Sequence, residues 1–98
     1  MIAVTKTARA ERDLIDIWLY VAVHSPDAAD RLLDRIEERS GQLSRFPYSG
    51  VSRDDLLTGL RQLVVGRYLV FHKVSDANVD IVRVLNGRRD LSAEDFSA

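Results

Sequence analysis

The 98-residue sequence predicts an α+β domain. Its parts are an N-terminal β-strand, an antiparallel helical hairpin packed on a three-stranded antiparallel meander, and a short C-terminal tail. Three observations carry this reading. Apolar residues recur at helical spacing in two stretches before residue 46, they alternate with a period of two between residues 60 and 85, and every connection between the periodic stretches is short. The length bounds the organisation. A chain of this size buries roughly 60 to 70% of its unfolded surface, enough for one core, so residues 1–98 are read as a single domain.

Residues 2–5 are a short β-branched run and read as the first strand. Thr7 is placed to cap a helix that starts at Ala8 and runs to about residue 24. Leu14, Trp18, Val21 and Ala22 follow helical spacing there, and Ile15, Leu19 and Val23 widen the stripe past one face. A helix this apolar is expected to be covered on more than one side. Ser25-Pro26-Asp27 is a second start signal: a hydroxyl cap, a proline at the first helical position and an acid in the first turn. Ala29, Leu32, Leu33, Ile36, Leu43 and Phe46 then mark an amphipathic helix to about residue 44. With almost no linker at residues 25–26, the two helices form an antiparallel hairpin.

Residues 46–50 end the second helix, and residues 51–59 read as a polar connection. The strands follow at residues 60–65, 67–74 and 79–85, broken by Gly66, by a turn at residues 75–78 and by Asn86-Gly87. Such short connections imply an antiparallel meander. Tyr68, Val70, His72 and Val74 share one face of the middle strand, and Leu69, Phe71 and Lys73 share the other. Both faces are therefore partly apolar, and two helices cover only one. The second face is expected to be a partner surface, unless residues 48–59 or the tail fold over it.

Composition removes several chemistries. With no cysteine there is no disulfide, no thiolate zinc site and no thiol nucleophile. Fourteen Lys and Arg against fifteen Asp and Glu disfavour a nonspecific nucleic-acid binder. The charge is uneven, however: residues 61–89 hold six basic side chains and two acidic ones. There is no signal-peptide pattern at the start and no apolar run long enough to span a membrane. His24 and His72 lack partners at metal-ligand spacing, and no phosphate loop or nucleophile elbow is present. Asp13 and Asp16 read as the solvated edge of the first helix. No catalytic residue, metal or cofactor is expected.

Specific residues carry a family resemblance over nearly the whole chain. They are Ala10-x-x-Asp13-Leu14-x-x-Ile17-Trp18-x-Tyr20, Pro26-x-x-Ala29 followed by Ile36, Phe46-Pro47-x-x-Gly50, Leu60-Arg61-x-Leu63 and Tyr68-Leu69-Val70-Phe71. The most specific block is the strand from Val79 that runs into Asn86-Gly87-Arg88-Arg89-Asp90. In these blocks the chain resembles the ParE branch of the RelE/ParE toxin superfamily. The resemblance implies a bacterial, cytoplasmic toxin of a type II toxin–antitoxin system, held in a hetero-oligomeric complex by a ParD-like antitoxin, with DNA gyrase as its target. The sister branch, RelE, cuts messenger RNA on the ribosome. Where that branch carries a Lys-x-Lys pair, this chain reads Arg61-Gln62-Leu63 and keeps one basic residue; Arg89 matches that branch's arginine near the end of the last strand, and Phe96 falls near its late tyrosine. A phenylalanine moves no proton, so the ParE branch and a non-enzymatic inhibitor are favoured. A ribosome-dependent endoribonuclease and an inactive toxin subunit are the alternatives.

Two surfaces follow as expectations. An antitoxin segment is expected on Leu14, Trp18, Leu69, Phe71 and Val84. The target is expected at the basic end of the last strand, on Arg83, Arg88 and Arg89, with the tail to Phe96. Neither direct nucleic-acid binding nor a membrane is expected.

Overall fold

A computed structural model describes residues 1–97. Its elements in chain order are β1 (Ala3–Lys6), α1 (Ala8–Ala22), α2 (Pro26–Gly41), β2 (Val51–Ser52), β3 (Leu60–Val65), β4 (Tyr68–Val74) and β5 (Asn78–Asn86). Two short 3₁₀ turns, Gln42–Ser44 and Ala93–Phe96, complete it. Both helix starts form as the sequence dictates. The Thr7 side chain accepts a hydrogen bond from the Ala10 N–H and that of Ser25 from the Ala28 N–H, each at 3.1 Å. These caps satisfy main-chain donors that the first helical turn leaves free. Helix α1 stops two residues before its expected end, where the His24 and Ser25 N–H groups both turn back to the Val21 carbonyl. Helix α2 ends at Gly41, and the last expected turn tightens to 3₁₀.

The sheet is larger than the expected meander. It has five strands in the order β1-β5-β4-β3-β2. The meander β3-β4-β5 lies at its centre. Strand β1, one residue later than expected, pairs in parallel with β5, and β2, within the stretch read as a polar connection, pairs with Arg61 and Gln62 of β3. Gly66 opens the two-residue turn between β3 and β4 with φ +59°, a conformation that glycine adopts without strain. Gly50, at φ +89°, lies so close to β3 that a Cβ there would sit 2.2 Å from the Gln62 carbonyl oxygen.

Two apolar layers flank the sheet. Ile17 of α1, Ile36 of α2 and Leu43 pack against Leu63, Val70, Val79 and Ile81 on the inner face. On the outer face, Leu60, Phe71 and Leu85 are covered by Leu56, Leu57, Leu91 and Phe96. The expectation that this second face waits for a partner is thus corrected. The 53–59 loop and the tail close it, because both fold back with their few apolar side chains inward.

The register of β4 on β5 slips between Phe71 and His72. Phe71 faces Arg83 and His72 faces Ile81, which leaves Val82 as the extra residue of a β-bulge. Beyond this point β1 has ended and the outer edge of β5 would lie bare. The start of α1 fills it. The Thr7 N–H donates to the Ile81 carbonyl, and the Thr7 hydroxyl donates to the Val82 carbonyl, both at 3.0 Å.

Candidate functional site

The edge of β5 positions a buried carboxylate with three hydrogen bonds. Asp13 lies on α1 three residues after Ala10 and four before Ile17, so all three point at the sheet. Its carboxylate accepts the Val84 N–H at 3.0 Å and two hydrogen bonds from Arg83, from Nε at 2.7 Å and from Nη2 at 3.0 Å. The pair is buried, with side chains only 7% and 10% exposed. Asp13, through this direct hydrogen bond, holds the Arg83 guanidinium charged against the opposing effect of burial. Asp13 is therefore not a solvated edge residue, and Arg83 is not a surface cation. Periodicity held the clue to Asp13, since it stands on the Ala10–Ile17 line rather than beside it.

The third donor of Arg83, Nη1, reaches the Asp95 carbonyl at 2.7 Å and ties the C-terminal turn to the sheet. The Asp95 carboxylate accepts the Ser92 N–H at 2.9 Å and pairs with Arg89. The Ser92 N–H, then the Arg89 and Arg83 cations, hold this carboxyl below the usual carboxylate range. Phe96 sets its ring edge-on against Phe71, with centroids 4.7 Å apart and planes at 66°. Of the four residues expected to meet the target, Arg88 and Arg89 are exposed, Arg83 is buried and Phe96 is half-buried as a structural lid. A cleft of about 280 Å³ opens next to this end of β5, with Asp16, Tyr20, Tyr68, Asn86 and Arg89 among its walls.

The five apolar residues expected to meet a partner also divide. Phe71 and Val84 are wholly buried and offer no surface, because the tail covers one and α1 the other. Leu14, Trp18 and Leu69 are half-buried, and the Trp18 indole N–H donates to Asp30 on α2 at 2.8 Å. Exposed apolar side chains lie instead along the first helix and its cap, and also at Phe46, Tyr48, Val51 and Val64. Ile15 and Leu19 are 55% exposed, Tyr20 73% and Val23 80%. Residues 15, 19 and 23 form a single row along the helix axis. The widened apolar stripe of the sequence is thus not covered by a second layer.

The sheet positions Arg61, Leu63 and His72 are accounted for by the inner core and the 46–50 loop. Leu63 belongs to the inner core. Arg61 donates to the Gly50 carbonyl at 3.0 Å and anchors the 46–50 loop. His72 is fully buried beneath that loop, and neither of its ring nitrogens has a hydrogen-bond partner. Burial chiefly, and then the neighbouring Arg61 cation, push its pKa below the ordinary histidine value. Among the described residues, no group of three His, Asp or Glu side chains is placed to hold a metal ion. No helix among them is long and apolar enough to cross a membrane.

The arrangement defines a known class of fold. A chain of the chromosomal ParDE toxin–antitoxin system from P. aeruginosa superposes with a TM-score of 0.75 at 24% identity, covering 88% of this chain and 96% of that one. A chain of the RelBE2 toxin–antitoxin complex from Mycobacterium tuberculosis superposes at 0.59 with 26% identity, covering 87% and 90%. Among curated proteins, Toxin ParE3 of Caulobacter vibrioides is 39% identical over 66 residues, which span 67% of this chain and 66% of that protein. Toxin RelE2 of the same organism is 36% identical over 91 residues, 91% of this chain and 99% of that one. The family model for the ParE toxin of the type II toxin–antitoxin system, parDE, matches residues 4–91. The chain belongs to this ParE toxin family.

Proposed function

We propose that the chain is neutralised by a ParD-like antitoxin and arrests growth in the cytoplasm by binding and inhibiting DNA gyrase, without catalysing a reaction itself. Family membership supports the target class. The observation that carries the non-catalytic reading is the state of the positions where the RelE branch does its chemistry. Leu63 is core, and Phe96 is a ring packed on Phe71 with no proton to give. The target surface is then the exposed pair Arg88 and Arg89. Arg83 acts behind it by fixing the tail and the end of β5.

The antitoxin surface is the exposed apolar row Ile15, Leu19 and Val23, with Leu14 and Trp18 at its side. Exposed apolar surface of this kind fits an amphipathic or extended partner segment.

The ribosome-dependent endoribonuclease reading draws on the near full-length likeness to a protein called RelE2. Inducing the chain in a bacterium separates the two. The gyrase reading expects intact messages by primer extension together with trapped gyrase–DNA adducts. Discrete cuts in messages without such adducts would replace it with the nuclease reading.

A further inference from the structure

Strand β2 covers only part of its neighbour β3. Its two residues pair with Gln62 and Arg61, so Leu63, Val64 and Val65 have a strand on the β4 side alone. Gly50, at φ +89°, ends the pairing of β2 at this point. Val65 and Tyr68 close the two-residue turn to β4 as a hydrogen-bonded pair. The alternation of an antiparallel ladder then turns the N–H and C=O of Val64 away from β4. It turns the Leu60 carbonyl the same way, and that carbonyl accepts the Arg53 N–H at 2.7 Å. Among the described residues, no main-chain hydrogen bond reaches Val64 on this side.

Both flanks of this bare edge carry side chains that nothing in the fold engages. On the inner flank, Arg35 and Arg39 of α2 line a cleft of about 290 Å³ with Val64, Val65 and Gly66, and Glu38 also borders it. Arg35 extends over the turn, so that a Cβ on Gly66 would lie 3.6 Å from its Nη2. Both arginines are exposed, and among the described residues neither has an ion pair. On the outer flank, Val51 pairs with Gln62, two residues before Val64, so the two valines point to the same side. They are 62% and 55% exposed. The edge therefore sets unpaired main-chain groups between two cations on one face and two apolar side chains on the other.

We propose that the edge of β3 at residues 63–65 is a strand-addition site for a protein segment in which acidic and apolar side chains alternate. The main chain of the segment pairs with Val64. Successive side chains of a strand point to opposite faces. One set places carboxylates on Arg35 and Arg39, and the other covers Val51 and Val64. A second copy of this chain does not fit, because it brings the same arginines against these two, and like charges blunt edge-to-edge pairing. An RNA strand offers phosphates to the arginines but leaves the Val64 N–H and C=O without a matching partner. The surface shares no residue with the Ile15, Leu19 and Val23 row or with Arg88 and Arg89, and the proposal depends on neither.

The test uses the full chain and a short capped peptide in which glutamate and valine alternate, followed by amide chemical shifts. Shifts should centre on Val64 and Gly66 and saturate with a Kd of about a millimolar or below. The double variant Arg35→Glu, Arg39→Glu should bind the peptide at least about tenfold more weakly. Val64→Pro removes only the outward N–H, a change that an edge position tolerates, and should abolish the shift at Gly66. A peptide of the same composition with its glutamates grouped before its valines should bind several-fold more weakly, and a short oligouridine should not compete. The absence of saturable shifts at Val64 and Gly66 would overturn the proposal. So would equal binding by wild type and the arginine variant, equal binding of the grouped peptide, or displacement by the oligouridine. The arginine variant is altered only at exposed positions, so it decides the matter if Val64→Pro weakens the sheet.

Discussion

Asp13 and Arg83 lie 70 residues apart in the chain and share two hydrogen bonds in the interior, at 2.7 and 3.0 Å. The pair joins the first helix to the last long strand. Asp13 also accepts the Val84 N–H at the bare edge that follows the end of β1. Arg83 passes the connection on to the tail through the Asp95 carbonyl. Removing one partner strands the other charge in a low-dielectric interior, which costs about 3–5 kcal/mol. Asp13→Ala is therefore expected to lose a large share of the total stability in urea denaturation. The combined variant Asp13→Leu with Arg83→Met should lose less than Asp13→Ala alone, since apolar replacement of both charges removes the unpaired one. Equal losses would mean that the N–H of Val84, and not the ion pair, is the important contact.

His72 predicts a pH dependence of known sign. Its folded pKa is lowered, chiefly by burial, and then by Arg61. The unfolded chain therefore binds the proton more readily than the folded one. The neutral imidazole contributes its full share of stability above the unfolded value of about 6.5. That share is lost as the pH falls through 6.5 toward the folded pKa, with a limiting slope of about 1.4 kcal/mol per pH unit for one proton. Asp55 and Asp95, whose pKa values are also lowered, act only in the more acidic carboxylate range. Comparing wild type with His72→Leu by chemical denaturation between pH 7 and 5 isolates the imidazole. The wild type should weaken across this window and the variant should stay level.

The two kinds of apolar residue predict opposite outcomes in a binding assay. Ile15→Asp and Leu19→Asp alter exposed positions on α1, and stability should change by about 0.5 kcal/mol or less. Antitoxin affinity should fall at least about tenfold. Phe71→Ala opens a cavity beneath the tail and should cost about 3–5 kcal/mol. A melting curve beside an antitoxin titration checks both. Normal affinity in a folded Ile15→Asp, Leu19→Asp double variant would move the antitoxin to another surface.

How much of this was legible in the sequence varied with the range of the interactions involved. The helical hairpin is legible because Thr7, Ser25 and Pro26 are local start signals whose bonds close within three residues. Strands β3, β4 and β5 are legible because a period of two over six or more residues is hard to mistake. Strand β2 is not, since two residues carry no period. The site is less legible than the fold. Asp13 sits between Arg12 and Leu14, near Asp16, and its place on the Ala10–Ile17 line is the only local sign that it turns inward. Its burial depends on an arginine at the far end of the chain and on a bulge that no local pattern marks. The covering of the outer face rests on Leu56, Leu57 and Phe96, which stand among polar residues and gain meaning only when the loop and tail fold back. The basic end Arg88-Arg89, by contrast, is exposed as the charge distribution suggests.

Charge reversal at that end separates toxicity from folding. Arg88 and Arg89 are exposed, and Arg89 has one surface ion pair with Asp95, a contact worth about 0–1 kcal/mol. Arg88→Glu with Arg89→Glu should therefore leave the melting temperature within a few degrees of wild type and preserve antitoxin binding. Growth arrest on induction should disappear. A folded double variant that remains fully toxic would exclude these two cations from the target surface.

The most direct test of the central claim is a supercoiling assay with purified DNA gyrase and the purified, folded chain, with and without its antitoxin. The chain is expected to inhibit supercoiling, and the antitoxin to restore it. Undiminished supercoiling at excess folded toxin would exclude DNA gyrase as the target.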